Sequence, residues 1–218
     1  MLKRRAAELR GDKTFLTTIG TIIDPDSIRL GSMMAAMLAL HPLAEVKLVH
    51  GISGQIMDKV ITGEIDAGYF LGDVSRPDVG FFPIRDVDYV IIAPYNWREQ
   101  TKEAALSDLA GMPWIGSNPL SSQRRILTAL FAKHGLALPE THFEVDQEAS
   151  MIGLVKSGVG LSLMRAEIAL SHEARGEVSI CDFKVGRCPL SFIYLSERHR
   201  DPVIGALLGA LKWSEGLG

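Results

Sequence analysis

Ser53 is the first residue whose setting invites a chemical reading. It lies in Gly51-Ile52-Ser53-Gly54, whereas a nucleophile elbow needs G-x-S-x-G with a spacer on both sides of the serine. The second spacer is missing, so Ser53 reads as a helix N-cap. Gly158-Val159-Gly160 opens like a dinucleotide fingerprint, but Leu163 stands where the last glycine belongs and the stretch leads into a strand. No G-x-x-x-x-G-K-[ST] phosphate loop occurs. His41, His50, His134, His142, His172 and His199 are dispersed without an H-x-x-x-H pair, so a metal would need them to converge from separate elements. Cys181 and Cys188 lack zinc spacing, are too few for a disulfide scaffold, and read as reduced thiols. Met33, Met34 and Met37 fall at helical spacing and read as core. Arg124-Arg125 and Lys3-Arg4-Arg5 read as solvated faces. These residues offer no enzyme, and neither a cofactor nor a metal is expected.

Four polar helix starts remain. Asp24-Pro25-Asp26-Ser27, Ile52-Ser53, Ser117 through Gln123, and Asp146-Gln147-Glu148 each follow the carboxyl end of an expected strand. In open α/β sheets ligands bind at that edge, because loops diverge there and helix N-termini present unpaired N–H groups. One such loop is only a cap. Four of them point to a ligand cleft.

The elements that would position these loops alternate along the chain. Phe15 to Ile23 reads as a buried strand, followed by a helix from the Asp24-Pro25-Asp26-Ser27 signals to about Leu40, where His41-Pro42 ends it. Val46 to His50 is a strand, Ser53 to about Gly63 a helix, Asp66 to Leu71 a strand. A loop over Gly72 to Pro83 leads to a buried strand, Asp88 to Ala93. Strands over Pro113 to Gly116, Phe143 to Val145, Val159 to Met164 and Pro189 to Ser196 follow, with helices ending at Gly135 and Gly158. Asp201-Pro202 supplies an N-cap and first-turn proline for a last helix through Trp213. The alternation predicts an α/β class with parallel sheets. Gly63 and Gly158 each end a helix just before a strand restarts, a faint echo that favours two similar lobes.

The chain has 218 residues, 47% hydrophobic and 22% charged, an ordinary globular composition large enough for one or two domains. Lys and Arg number 23 against 26 Asp and Glu, a net charge of −3, so a free-standing nucleic-acid binder is not expected. No apolar stretch follows the basic N-terminus, as a secretory signal requires, and the longest apolar run, Met33 to Leu40, is far too short to span a bilayer. A cytoplasmic protein without membrane contact is expected.

Thr18-Ile19-Gly20-Thr21, His41-Pro42 before an apolar strand, Gly63-Glu64-Ile65-Asp66-Ala67-Gly68, and Leu154-Val155-Lys156-Ser157-Gly158-Val159-Gly160-Leu161-Ser162-Leu163 stand in an order and separation that resemble the effector-binding region of LysR-type transcriptional regulators. The resemblance runs from about Phe15 to Trp213. It implies an α/β fold of two lobes resembling type 2 periplasmic binding proteins, joined by two crossover strands, with a small-molecule inducer held between them. Lobe I would take residues 13–92 and 193–218, and lobe II residues 93–192. It also implies homodimers, in many members tetramers, and DNA contact only through an N-terminal winged helix-turn-helix, with residues 1–12 read as a remnant of the linker helix.

Carried over by position, the effector site would comprise Thr21, Ile22 and Asp24 after the first strand, Ile52 and Ser53 after the second, and Phe70 and Leu71 at the third. Lobe II would add Ser117, Asn118, Ser121, Ser122 and Gln123, with Gln147 and Glu148. Some relatives that recognise aromatic acids place an arginine where this chain has Leu71. An arginine fork on a carboxylate is therefore not expected, and helix N–H groups and hydroxyls would take its place. A solute-binding protein of a transporter would share the fold but need export. An enzyme on this scaffold, like porphobilinogen deaminase or prephenate dehydratase, would need a catalytic constellation that is not offered.

Overall fold

β1 (Phe15–Thr21) buries Thr17, Ile19 and Thr21 on one face, while the other runs from the exposed Leu16 to the buried Gly20, the period-2 pattern of a strand. In the computed structural model, which describes residues 15–216, β1 pairs in parallel with β2 (Ala44–His50) and with β3 (Ala67–Leu71). β9 (Gly186–Leu195) runs antiparallel to β3, from Ala67 opposite Tyr194 to Leu71 opposite Leu190. The linker-helix remnant expected over residues 1–12 lies outside the described residues.

The described residues form two compact units, one holding 15–85 and 190–216, the other Asp86–Pro189. It crosses between them inside β4 (Val79–Pro94) and inside β9. The divisions read from sequence, after 92 and after 192, fall slightly later in the same strands. A continuous strand carries no turn residue to mark such a crossing.

In the first unit, α1 (Leu30–Leu40) packs on α8 (Pro202–Ser214), and the buried Tyr69 hydroxyl donates to Met33 Sδ at 3.1 Å. α2 (Ser53–Ile61) lies against β3. Its close approach depends on Gly20 and Gly68, which are register partners beneath Ile56. The Gly-Glu-Ile-Asp-Ala-Gly stretch has a second structural use. Asp66 Oδ2 accepts from the Thr18 N–H at 2.8 Å, while its Oδ1 accepts from Arg198 Nη1 at 2.7 Å. Arg198 also holds Asp201 below the usual carboxylate range, and Asp201 caps α8 through the Val203 N–H at 2.8 Å, the cap expected from sequence.

In the second unit, β4 pairs antiparallel with β7 (Ser162–Arg165) and with β8 (Val178–Ile180). β5 (Trp114–Gly116) and β6 (Thr141–Glu144) are parallel. The helices are α3 (Arg98–Thr101), α4 (Leu106–Ala110), α5 (Ser122–Lys133), α6 (Glu148–Lys156) and α7 (Ala166–Glu173). Ile92, Ile115, Met151, Ile152, Val155 and Met164 form the heart of its core.

Three expectations need correction. The first helix begins at Leu30, not at Asp24-Pro25-Asp26-Ser27. Asp24 Oδ1 accepts from the Ser27 N–H at 2.9 Å, which closes a turn, and Arg29 then takes φ 49° before the helix starts. The larger sheet is mixed, because the long strands β4 and β9 add antiparallel pairs to the parallel set. β4 begins at Val79 within the expected loop, because exposed alternate residues hid its first half. The glycine echo holds: Gly63 and Gly158 have φ 71° and 83°, left-handed positions just after a helix.

Candidate functional site

Parallel pairing places the carboxyl ends of β1, β2 and β3 on one edge of the first unit's sheet. Thr21 ends β1, buried, with Oγ1 3.2 Å from His50 Nδ1 and its carbonyl accepting from the Gly51 N–H at 3.0 Å. Ile52 is the N-cap of α2, and its N–H donates to Gln55 Oε1 at 3.3 Å. Ser53 is therefore not the cap expected from sequence. It is the first helical residue, buried, and its Oγ accepts from the Leu71 N–H at 3.2 Å, tying the start of α2 to the end of β3. Ile22 and Phe70 are buried and Leu71 fully so, which makes them apolar support. Asp24 is exposed, with its turn bond to Ser27.

In the second unit the loop after β5 is closed by its own side chains. Ser121 caps α5, its Oγ accepting from the Arg124 N–H at 3.1 Å and donating to Ser117 Oγ at 3.1 Å. Asn118 Oδ1 accepts from the Leu120 N–H at 2.9 Å, and the Asn118 N–H donates to Asp146 Oδ1 at 3.3 Å. Ser122 is buried and hydrogen-bonds the Tyr89 hydroxyl, whose pKa burial pushes well above the ordinary value. Gln123 Nε2 donates to the Leu163 carbonyl at 3.3 Å, a bond inside the protein. Gln147 caps α6 with its backbone, leaving its side chain exposed.

Glu148 is committed. Arg165 Nε donates to its Oε1 at 2.8 Å and Arg165 Nη2 to its Oε2 at 2.6 Å, and Arg165 also pairs with Glu167. The Arg165 side chain has no exposed surface. Sequence reasoning missed both Arg165 and Tyr89, since neither stands in a motif. The glutamate in the first turn of α6 was the one available signal that a cation should lie nearby.

The arrangement therefore gathers Thr21, Ile52 and Ser53 at one edge of the first unit, and Ser117, Asn118 and Ser121 at a helix start in the second. It supplies hydroxyls, amides and helix N–H groups, suited to recognition. Among the described residues no group of three or more His, Cys, Asp or Glu could hold a metal, and no helix is long and apolar enough to cross a membrane.

Comparison with known proteins gives the same architecture. The profile of the LysR substrate binding domain matches residues 16–214. The HTH-type transcriptional activator IlvY of Salmonella typhimurium is 26% identical over 180 residues, covering 77% of this chain and 59% of that protein. The chain thus spans little more than half the length of this curated relative. The effector binding domain of QuiR in complex with shikimate matches with a TM-score of 0.76 at 18% identity, covering 94% of this chain and 99% of that one. The CcmR regulatory domain of Synechocystis PCC6803, in complex with 2-PG, gives 0.73 at 18% identity over 90% of this chain and 95% of that one. The fold is the two-lobed α/β architecture of such effector-binding domains, which resembles type 2 periplasmic binding proteins.

Proposed function

The chain belongs to the LysR substrate-binding domain family, and we propose that it is the ligand-sensing part of a cytoplasmic transcriptional regulator whose DNA contacts are made by an N-terminal helix-turn-helix. A small-molecule effector shifts the population of conformations, and the shift changes how DNA is held elsewhere in the protein.

The observation that carries this reading is the first unit's sheet edge, where Ser53 fastens the start of α2 to the last residue of β3 beside Thr21. Effector contacts are assigned there to Thr21, Asp24, Ile52 and Ser53, with Ile22, Phe70 and Leu71 as apolar support. The second unit offers its own recognition edge in Ser117, Asn118, Ser121 and Gln147, while Ser122, Gln123 and Glu148 act from behind it. The ligand is small and partly apolar, any carboxylate on it being met by helix N–H groups and hydroxyls. QuiR in complex with shikimate and CcmR in complex with 2-PG support a small-molecule ligand class.

The regulator acts as a homodimer. α1 and the edge strand β2 expose Leu38, Leu40 and Leu48 at 60%, 49% and 44%, an apolar surface that a second copy would cover. The ligand reading is tested by a thermal-shift screen of small metabolites on the wild type, Ser53→Ala and Asp24→Ala, each scored against its own unliganded Tm. A shift reduced in either variant supports the edge. Hits that keep full shifts in both remove it.

A further inference from the structure

None of the residues assigned to effector recognition lines a cavity of about 390 Å³ on the second unit. Its walls come from three separate pieces of structure. Tyr95, Arg98 and Lys102 belong to the turn and short helix after β4, Leu170 and Glu173 to α7, and Ile180 and Asp182 to the end of β8 and the residues after it.

The walls are fixed by hydrogen bonds of their own. The Asp182 N–H donates to the Lys102 carbonyl at 2.7 Å, the Cys181 N–H to the Ile91 carbonyl at 3.0 Å, and the Ile180 N–H to Glu173 Oε1 at 2.9 Å. A cavity held in this way costs little ordering when a ligand enters.

Its charges are unspent. Arg98 and Lys102 stand one helical turn apart, and among the described residues neither cation has a hydrogen-bond or ion-pair partner for its side chain. The Asp182 carboxylate likewise has none there, and Glu173 engages only Oε1. Two cations and two carboxylates therefore line one concave site beside the exposed apolar surface of Tyr95 and Leu170. A dianion would meet two carboxylates, a dication two cations, and a purely apolar molecule would strip water from all four charges without replacing it.

We propose that this cavity is a second ligand site, for a small zwitterion of the α-amino acid class with an apolar side chain. The carboxylate is received by Arg98 and Lys102 and the ammonium by Glu173 and Asp182, while the side chain lies on Tyr95, Leu170 and Ile180.

The test is an amide NMR titration of the ¹⁵N-labelled chain with L-leucine up to about 10 mM, the range open to so small a ligand on an open site. L-leucinamide and N-acetyl-L-leucine, each carrying one of the two charges, serve as controls. Saturable shifts at Ile180, Cys181 and Asp182 are expected with leucine. About tenfold weaker binding is expected for each control and for Arg98→Gln and Asp182→Asn, the loss of one charged contact. Both substituted positions are exposed, so the fold should survive. No saturable shift at these amides, an equal response to N-acetyl-L-leucine, or an unchanged titration in both variants overturns the proposal. So do leucine shifts confined to the amides of Ser53 and Ser117, which would place the ligand at the effector edges instead.

Discussion

Gly20 in β1 and Gly68 in β3 are register partners, and the Cβ that each lacks would lie 2.7 and 2.5 Å from Cγ2 of the same Ile56. The fully buried Ile56 side chain thus rests on the bare backbone of two strands, and this contact seats α2 at the edge where Ser53 works.

Gly68→Ala should therefore destabilise the protein by about 1–3 kcal/mol, the usual cost of overpacking, since the new methyl would also crowd the Gly20 backbone at 3.1 Å. Gly153→Ala is the control. That helical glycine in α6 has open space where its Cβ would go, so alanine should be neutral or stabilising by up to about 1 kcal/mol. Urea unfolding of the two variants checks both signs.

Removing the carboxylate of Glu148 takes from the buried Arg165 cation the partner that accepts from both its Nε and its Nη2. Glu148→Ala should cost about 3–5 kcal/mol, as breaking one side of a buried pair does. An Arg165→Met, Glu148→Met double variant should lose less than Glu148→Ala, because no charge is then stranded. Chemical denaturation of the set gives the comparison.

Glu177 accepts hydrogen bonds from His172, Lys156 and Arg175, and the His172 bond contributes most to holding its carboxyl down to about 2. A folded pKa below the unfolded value of 4.5 means that the stabilisation is complete above that pH and is lost as pH falls toward 2. The Tm difference between wild type and Glu177→Gln should accordingly be largest near neutrality and shrink through that window. A Tm series against pH reads it directly.

Leu38 and Leu48 predict the behaviour in solution. The chain should sediment as a homodimer at micromolar concentration, and Leu48→Glu on the edge strand should shift it toward monomer with its far-UV circular dichroism unchanged. Sedimentation showing only monomer in the wild type would remove the dimer surface.

Strand positions and the glycine-terminated helices were legible because their signals are local. Ile19, Tyr69 and Leu163 repeat at strand spacing, and Gly63 and Gly158 need left-handed backbone. The start of α1 was not, since Asp24 and Ser27 carry the same residue types whether they cap a helix or close a turn, and nothing in Arg29 announces φ 49°. At the candidate site, sequence assigned Ser122, Gln123 and Glu148 to the effector without signalling their bonds to Tyr89, Leu163 and Arg165. Polar residue types identify a polar environment. Which partner they meet is decided by strands far away in the chain.

The crossings inside β4 and β9 also have a consequence for synthesis. Residues 86–189 are continuous in sequence, so the second unit has all its parts once that stretch leaves the ribosome. The first unit does not. β3 waits for β9, which arrives more than a hundred residues later, with one edge of a wholly buried strand unpaired in the meantime. A nascent chain paused before Leu190 exposes that edge together with Tyr69, Phe70 and Leu71, a template for pairing with a neighbouring chain. Recovery of folded protein should therefore depend on how quickly the last segment is made, and truncations just before Leu190 should aggregate even though the second unit within them is whole.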